Sequence, residues 1–313
     1  MRLILVTGSE GLVGTSLSHA LRASGFAIQR CDIACPVGHA ERVNILDLDA
    51  VTSMARKCVG IVHLAAVSRV VCGEREPNLC WRTNAEGTQN VLRAALGQED
   101  PPWVVFASSR EVYGQADELP VNEGSSLKPV NIYGRAKVAA ERAVDEARGS
   151  GLRTAVVRLS NVYGSTTDHA DRVVPAFTRS AALGMPLRVD GSGHTFDFTH
   201  LNDTARGILA IIKVLEAGET KLPPIHLVTG RPTTLGQLAE LANAANGNRS
   251  EIIMAPPRSF DVAHFYGNPA RAKELLGWSA NVRIEDGIRQ MVEAFAAEAR
   301  ESSNRNAALK EEA

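Results

Sequence analysis

Short apolar runs alternate with longer segments of helical periodicity through the first half of the chain. Apolar residues fill each run almost continuously, as expected of strands buried on both faces of a sheet. The predicted strands are 3–6, 27–31, 60–64, 103–107 and 154–159, and the predicted helices are 12–24, 84–96 and 132–148. This order predicts an α/β fold with a Rossmann-like, doubly wound parallel sheet.

The rhythm changes after Gly164, where the chain carries more proline and glycine and shorter helical segments. We expect residues 1–164, with returning segments at about 199–229, to form one domain. Residues 165–198 and 230–298 are expected to form a smaller α+β lobe. The polar segment 299–313 lacks an apolar stripe and is predicted to be a flexible tail.

The composition is ordinary for a globular protein, with 44% hydrophobic residues, 22% charged residues and a formal net charge of −1. This charge does not favour nucleic acid or an anionic membrane as a partner. The apolar run after Met1 is too short for a signal peptide or a membrane span, so we expect a cytoplasmic protein. The five cysteines form no C-x-x-C pair, so reduced thiols are expected and no metal site.

A glycine-rich turn, 7–14, follows the first predicted strand and opens the first predicted helix. Gly8 permits a tight turn, Gly11 lets the backbone approach a pyrophosphate, and Gly14 lets helix and strand pack closely. The phosphates would lie on the free N–H groups at the helix N-terminus. The turn predicts a dinucleotide site, with Glu10 and Leu12 among the residues in contact with the cofactor.

Asp32 follows the second predicted strand, where a carboxylate accepts hydrogen bonds from both ribose hydroxyls of NAD. It would repel the 2′-phosphate of NADP, although nearby Arg30 leaves NADP open as the alternative. Weaker candidates for cofactor contacts follow the second and third strands: Asp47 and Leu48 near the adenine, and the small segment Leu64, Ala65 and Ala66.

Tyr133 and Lys137 are spaced i, i+4 on a predicted helix and therefore share one face. An ammonium group beside a phenol favours the phenolate, so we predict a depressed pKa for Tyr133. Such a phenolate removes a proton from a hydroxyl while the carbon beneath gives hydride to NAD. The alternative is an ordinary neighbouring pair on a helix surface.

Three segments together resemble the extended short-chain dehydrogenase/reductase family, and in particular its nucleotide-sugar epimerase/dehydratase branch. They are the glycine turn, the segment 108–114 (Ser-Ser-Arg-Glu-Val-Tyr-Gly) and the segment 133–137 (Tyr-Gly-Arg-Ala-Lys). The resemblance extends from residue 1 to about residue 295. It implies NAD as cofactor, a nucleotide sugar as substrate, and a homodimer formed through helices near 85–96 and 132–148.

The resemblance also implies roles for individual residues. Ser109 would bind the hydroxyl being oxidised, Tyr133 would be the base, and Lys137 would hold the nicotinamide ribose. Asn84 matches an asparagine of the family's cofactor site. Asn161 and Arg258 match residues that contact the substrate's diphosphate, for which the forked guanidinium is well suited.

Phe196 departs from the family pattern, because an arginine often precedes Asp-Phe in this lobe and here the segment reads Phe196-Asp197-Phe198. One diphosphate contact is therefore missing from the expected set. Arg188 or His194 is a candidate to replace it. The Phe196 ring itself is expected to belong to the core.

The pair Arg110-Glu111 is a second departure, because sugar-nucleotide 4,6-dehydratases carry Asp-Glu at this place. Their glutamate removes the C5 proton and their aspartate protonates the leaving C6 oxygen, so here only the glutamate is kept. Arg110 is expected to contact the substrate. The alternative for Glu111 is a buried salt bridge to Arg110 or Arg135.

The sequence therefore predicts an enzyme that transiently oxidises C4 of a nucleotide sugar, with Glu111 favouring a dehydratase-type reaction at C5. A 4-epimerase, an NAD(P)-dependent reductase of another carbonyl and a non-catalytic NAD-binding sensor are the alternatives.

Overall fold

The computed structural model describes residues 2–257 and 262–311. In the first half of the chain the elements are β1 Leu3–Thr7, α1 Leu12–Ala23, β2 Ala27–Cys31, α2 Leu48–Ala55, β3 Cys58–His63, α3 Val70–Arg75, α4 Pro77–Trp81, α5 Gly87–Leu96, β4 Trp103–Ser109, α6 Ile132–Gly149 and β5 Thr154–Leu159. In the second half they are β6 Asn161–Tyr163, α7 Val173–Ala182, β7 Leu187–Asp190, β8 Thr195–His200, α8 Leu201–Glu216, β9 Ile225–Leu227, β10 Pro232–Thr234, α9 Leu235–Ala245, β11 Ile252–Ala255, α10 Ala270–Leu276 and α11 Ile284–Glu311.

A six-stranded sheet in the order β2-β1-β3-β4-β5-β9 forms the larger layer. Every neighbouring pair in it is parallel. Successive residues of β1 point to opposite faces, so that Ile4 and Val6 pack with α1 and α8 while Leu5 packs with α2, α5 and α6. The doubly wound sheet predicted from the apolar runs is confirmed.

The smaller lobe contains a three-stranded sheet, β10-β8-β6, and a parallel pair, β11-β7. Its core is a separate apolar cluster built from α7, α9 and α11 against these strands, and Phe196 belongs to it. The chain enters the lobe already at β6, returns to the large sheet through α8 and β9, and leaves it again at β10.

The C-terminal segment differs from the predicted flexible tail. Helix α11 continues as far as Glu311, so residues 299–311 are helical. The segment is rich in alanine, glutamate and arginine, which favour helix even without an apolar stripe. Its described side chains, from Ala299 to Arg305, lie at the surface.

Two apolar residues of α6, one of the helices expected to form a dimer, face inward. Val138 is 8% exposed and packs in the lobe's apolar cluster, and Ala143 is 8% exposed and packs behind the large sheet. In the described part of the chain no helix is long and apolar enough to span a membrane.

Candidate active site

Tyr133 and Lys137 lie on the first turns of α6, where the side chain of Asn131 caps the helix by accepting from the Gly134 N–H at 2.8 Å. The cap fixes the start of the helix against the carboxyl end of β4, where Ser109 lies. The hydroxyl groups of Ser109 and Tyr133 share a hydrogen bond. Tyr133 is 8% exposed and Lys137 3%, so the pair is not an ordinary surface pair.

The pKa of Tyr133 is raised to about 12, opposite to the depressed value predicted from the sequence. Burial is the largest cause; the Ser109 hydrogen bond and the charge of Arg172 lower the pKa, while the charge of Glu111 raises it. The Nζ of Lys137 donates to the Ala107 carbonyl at 2.7 Å and lies 5.9 Å from the Tyr133 ring centroid. In this state of the protein Tyr133 is a neutral phenol.

Burial lowers the pKa of Lys137 to about 8, and the nearby Cys80 and Glu141 act in the opposite direction. The ammonium group also lies 4.8 Å from the centroid of the Phe106 ring. A lysine is thus held in the core beside Tyr133 at an energetic cost.

That cost predicts how stability changes with pH. The pKa of Lys137 is lowered from its ordinary 10.5 to about 8, and this shift corresponds to about 3 kcal/mol of stability. The cost is present in full below pH 8, where the folded and unfolded states are both protonated, and disappears as the pH rises towards 10.5. Urea unfolding should therefore show stability rising across this window in the wild-type protein, and Lys137→Met should lack that rise.

Lys213→Met is the matched control, because Lys213 is exposed on α8. It should keep the wild-type pH dependence. Parallel pH curves for wild type and Lys137→Met would contradict the assigned burial cost.

The glycine turn has the geometry that a pyrophosphate requires. Gly8 has φ +71°, and a Cβ there would lie 2.7 Å from the Ala65 nitrogen. A Cβ on Gly14 would lie 2.1 Å from the Gly8 carbonyl oxygen, whereas one on Gly11 would meet only that oxygen, at 3.3 Å. Within the described residues no side chain caps α1, and its N-cap residue, Gly11, is exposed. These residues fit a dinucleotide.

Two alanine substitutions separate packing from cofactor binding at this turn. Gly14→Ala should destabilise the fold by about 1–3 kcal/mol, because α1 must move away from β1. Gly11→Ala should change stability by less than about 0.5 kcal/mol yet weaken NAD binding, because the methyl group occupies the space of the phosphates. Thermal unfolding and NAD titration test the pair; NAD binding unchanged in Gly11→Ala would refute the assignment.

The carboxylate of Asp32 lies at the edge of the turn and accepts from the Glu10 N–H at 2.9 Å and the Ala34 N–H at 2.8 Å. The Arg30 guanidinium pairs with Glu41 at 2.9 Å and with Glu10 at 3.3 Å. These two carboxylates neutralise the Arg30 guanidinium, the cation that would otherwise favour the 2′-phosphate of NADP. Asp32 is therefore placed for a ribose without a phosphate.

The other candidate cofactor residues lie on neighbouring segments. Asp47 caps α2 by accepting from the Ala50 N–H at 3.0 Å, and Leu48 is the first residue of that helix. Asn84 lies in the π-helical turn before α5, where its amide accepts from the Val67 N–H at 2.8 Å and donates to the Val67 carbonyl at 3.1 Å. Asn84 thus orders the loop after β3 that contains Leu64, Ala65 and Ala66.

Buried His63 supports the same loop and was missed by the sequence reasoning. Thr88 donates to the Asn84 carbonyl at 2.7 Å and so accepts from His63 Nε2 at 3.0 Å, while Thr7 lies 2.7 Å from His63 Nδ1. Burial, with the charge of Lys137, lowers the pKa of His63 to about 3, so the ring is neutral. Its position at the end of a buried strand is the only signal the sequence offered.

Glu111 and Arg110 form the buried salt bridge that the sequence left as an alternative. Glu111 Oε1 lies 2.9 Å from Arg110 Nη2, and Glu111 Oε2 accepts from the Asn131 amide at 2.7 Å. Glu111 is 6% exposed. Both oxygens of the candidate C5 base are therefore engaged.

The residues predicted to bind the substrate lie in different parts of the structure. Asn161, on β6, accepts from Arg110 Nε at 3.4 Å. Arg188 lies on β7, 74% exposed and paired with Asp190 at 2.9 Å. Arg258 lies outside the described residues. Arg172, which begins α7 and whose charge acts on Tyr133, was missed because its proximity is purely tertiary.

The sheet, the glycine turn and the Ser109–Tyr133–Lys137 set together define an enzyme of the extended short-chain dehydrogenase/reductase type. Residues 4–224, more than half of the chain, match the NAD dependent epimerase/dehydratase family, and the chain belongs to that family. The predicted NAD-dependent enzyme of nucleotide-sugar metabolism is confirmed at this level.

Relatives of two kinds are similar over nearly the whole chain. A putative UDP-glucose 4-epimerase of Methanocaldococcus jannaschii is 28% identical over 93% of this chain and 97% of the relative. UDP-glucuronic acid decarboxylase 1 of Danio rerio is 27% identical over 96% of this chain and 74% of the relative. The structure of a Thermotoga maritima UDP-glucose 4-epimerase with UDP-glucose aligns with a TM-score of 0.85 and 28% identity, covering 95% of this chain and all of that one.

Among the described residues, no group of three or more His, Cys, Asp or Glu side chains is arranged to hold a metal ion.

Proposed function

We propose that this protein is a UDP-sugar 4-epimerase. The observation that carries this choice is the engagement of Glu111, whose two carboxylate oxygens are bound by Arg110 and Asn131. A C5 base must offer a free oxygen to the substrate, and an ion-paired, hydrogen-bonded carboxylate is stabilised as the anion. Chemistry confined to C4 needs only the Ser109–Tyr133–Lys137 set.

The residues of this set act on one hydroxyl. Bound NAD⁺ supplies the hydride acceptor together with a positive charge that favours the Tyr133 phenolate. Ser109, hydrogen-bonded to Tyr133, orients the C4 hydroxyl, and Tyr133 takes its proton as the C4 hydrogen leaves. Tyr133 returns that proton when the 4-keto sugar is reduced from its other face. Atoms and charge balance over the cycle, so the net reaction is inversion at C4.

Lys137 maintains the electrostatics of this step. With a pKa of about 8 it is largely protonated at neutral pH, and its ammonium is held in place by the Ala107 carbonyl. The charge is buried and fixed, so it needs no reorganisation when the phenolate forms.

A dehydratase-type or decarboxylating reaction is the second candidate. Glu111 itself favours it, because this buried carboxylate lies two residues from Ser109 at the same strand end. It would require Glu111 to leave Arg110 or Asn131 when substrate binds.

Turnover in D2O, followed by NMR, separates the candidates. The panel contains UDP-glucose, UDP-galactose and UDP-glucuronic acid, with dTDP-, GDP- and CDP-sugars for comparison. Inversion at C4 without deuterium at C5 supports the 4-epimerase. Deuterium at C5 or loss of the carboxylate establishes the second candidate, net consumption of NADH indicates a reductase, and no reaction with any sugar refutes both proposals.

A further inference from the structure

Contacts with a carboxylate, an amide and an aromatic ring orient the guanidinium of Arg110. Nη2 pairs with Glu111 at 2.9 Å and Nε donates to Asn161 at 3.4 Å. The face of the group stacks on the Phe196 ring, with Cζ 4.6 Å from its centroid, and Phe265 lies at 5.8 Å. The side chain is 13% exposed.

Nη1 of the same guanidinium is buried and has no hydrogen-bond partner within the described part of the protein. A buried charged donor left unsatisfied costs about 1–3 kcal/mol or more, so proteins rarely keep one without a use. The stacking and the two polar contacts hold the fork rigidly while this nitrogen remains available. A guanidinium held in this way is preorganised for a second oxyanion.

The position of this nitrogen connects the two departures from the family pattern. Phe196 stands where relatives often carry an arginine, and it is the ring on which Arg110 is stacked. Arg110 also contacts Asn161, which the resemblance assigns to the substrate's diphosphate.

We propose that Arg110 binds an anionic oxygen of the substrate through Nη1, with Phe196 as its platform. This inference rests on the proposed function, because it requires a nucleotide sugar in the site. The oxyanion is either the diphosphate or the carboxylate of a sugar acid such as a glucuronate. Both present the same chemistry to a guanidinium, and the choice of ligand in the test distinguishes them.

The test compares dissociation constants of the NAD-loaded protein for UDP, UDP-glucose and UDP-glucuronic acid by calorimetry. Arg110→Gln should weaken binding about 10- to 100-fold, as expected for a lost hydrogen bond to a charged group. Weaker binding of all three ligands identifies the diphosphate as the oxyanion. Weaker binding of UDP-glucuronic acid alone identifies the carboxylate. Unchanged constants for all three overturn the proposal and leave Arg110 as the counter-ion of Glu111.

Two further variants keep the result interpretable. Arg206→Gln is the matched control, because Arg206 also pairs with an acid, Asp203, at 2.6 Å and lies 5.9 Å from an aromatic ring, that of Trp278. Arg110→Lys keeps the charge but loses the fork, and provides a second measurement if Arg110→Gln folds poorly. Wild-type protein that binds none of the three ligands contradicts the proposed function itself, whereas wild-type binding retained in both Arg110 variants contradicts only this inference.

Discussion

Replacing Tyr133 with phenylalanine should lower turnover by about 10²- to 10⁴-fold, the usual contribution of a positioned acid–base group. The hydroxyl is the only group removed, and it lies in the first turn of a capped helix, hydrogen-bonded to Ser109. Because burial raises its pKa to about 12, the phenolate that takes the proton requires the positive charge of the bound cofactor. Initial rates with the active UDP-sugar, measured at saturation, give the loss directly.

Tyr163→Phe is the matched control for this experiment. The Tyr163 hydroxyl is buried and has no hydrogen-bond partner among the described residues, so its removal should change neither turnover nor stability appreciably. NAD content and thermal unfolding of Tyr133→Phe should match the wild type. Near-full turnover in Tyr133→Phe would exclude the acid–base role, and with it the proposed C4 chemistry.

Glu141→Leu should lower the free energy of unfolding by about 3–5 kcal/mol, because it leaves a buried arginine without its counter-ion. Glu141 and Arg158 are paired through two bonds, at 2.9 Å and 2.6 Å, and are 5% and 4% exposed. Ser108 also donates to Glu141 at 2.5 Å. The pair therefore joins β4, β5 and α6 directly beneath the catalytic groups. Urea unfolding at neutral pH measures the effect.

Glu86→Ala provides the comparison on the surface. Glu86 pairs with Arg82 at 3.8 Å with both side chains more than half exposed, so this substitution should cost less than about 1 kcal/mol. Replacing both buried partners, as Glu141→Leu with Arg158→Met, should recover much of the stability lost in the single variant. A loss below about 1 kcal/mol in Glu141→Leu would show that Arg158 finds another partner or water.

The catalytic pair should respond to the same substitution. The charge of Glu141 raises the pKa of Lys137, so its removal shifts the lysine further towards the neutral form. The Glu141→Leu variant would be less stable than the wild type. As the pH rises, it would also lose activity at a lower pH than the wild type does.

The parallel sheet and the glycine turn were predictable because their causes are local. Continuous apolar runs fix the buried strands, and the steric need for Gly14 is set by the backbone of Gly8 and Ser9, a few residues away. The predicted bounds of β2 and β5 agree with the structure. The helix at 299–311 was missed because helix propensity without an apolar face leaves no periodic signal.

The sequence by itself determined the fold class and predicted the dinucleotide turn and the candidate residues Ser109, Tyr133 and Lys137, because each prediction depends on residue types at fixed spacing within a segment. The tertiary structure decided what the neighbouring charges do. Burial, which no spacing reports, gives Tyr133 a raised pKa where proximity to lysine suggested a lowered one. Arg110 meets Phe196 across the two lobes, and Glu111 meets Asn131 across a helix end, so the chemistry at C5 depends on contacts between distant segments.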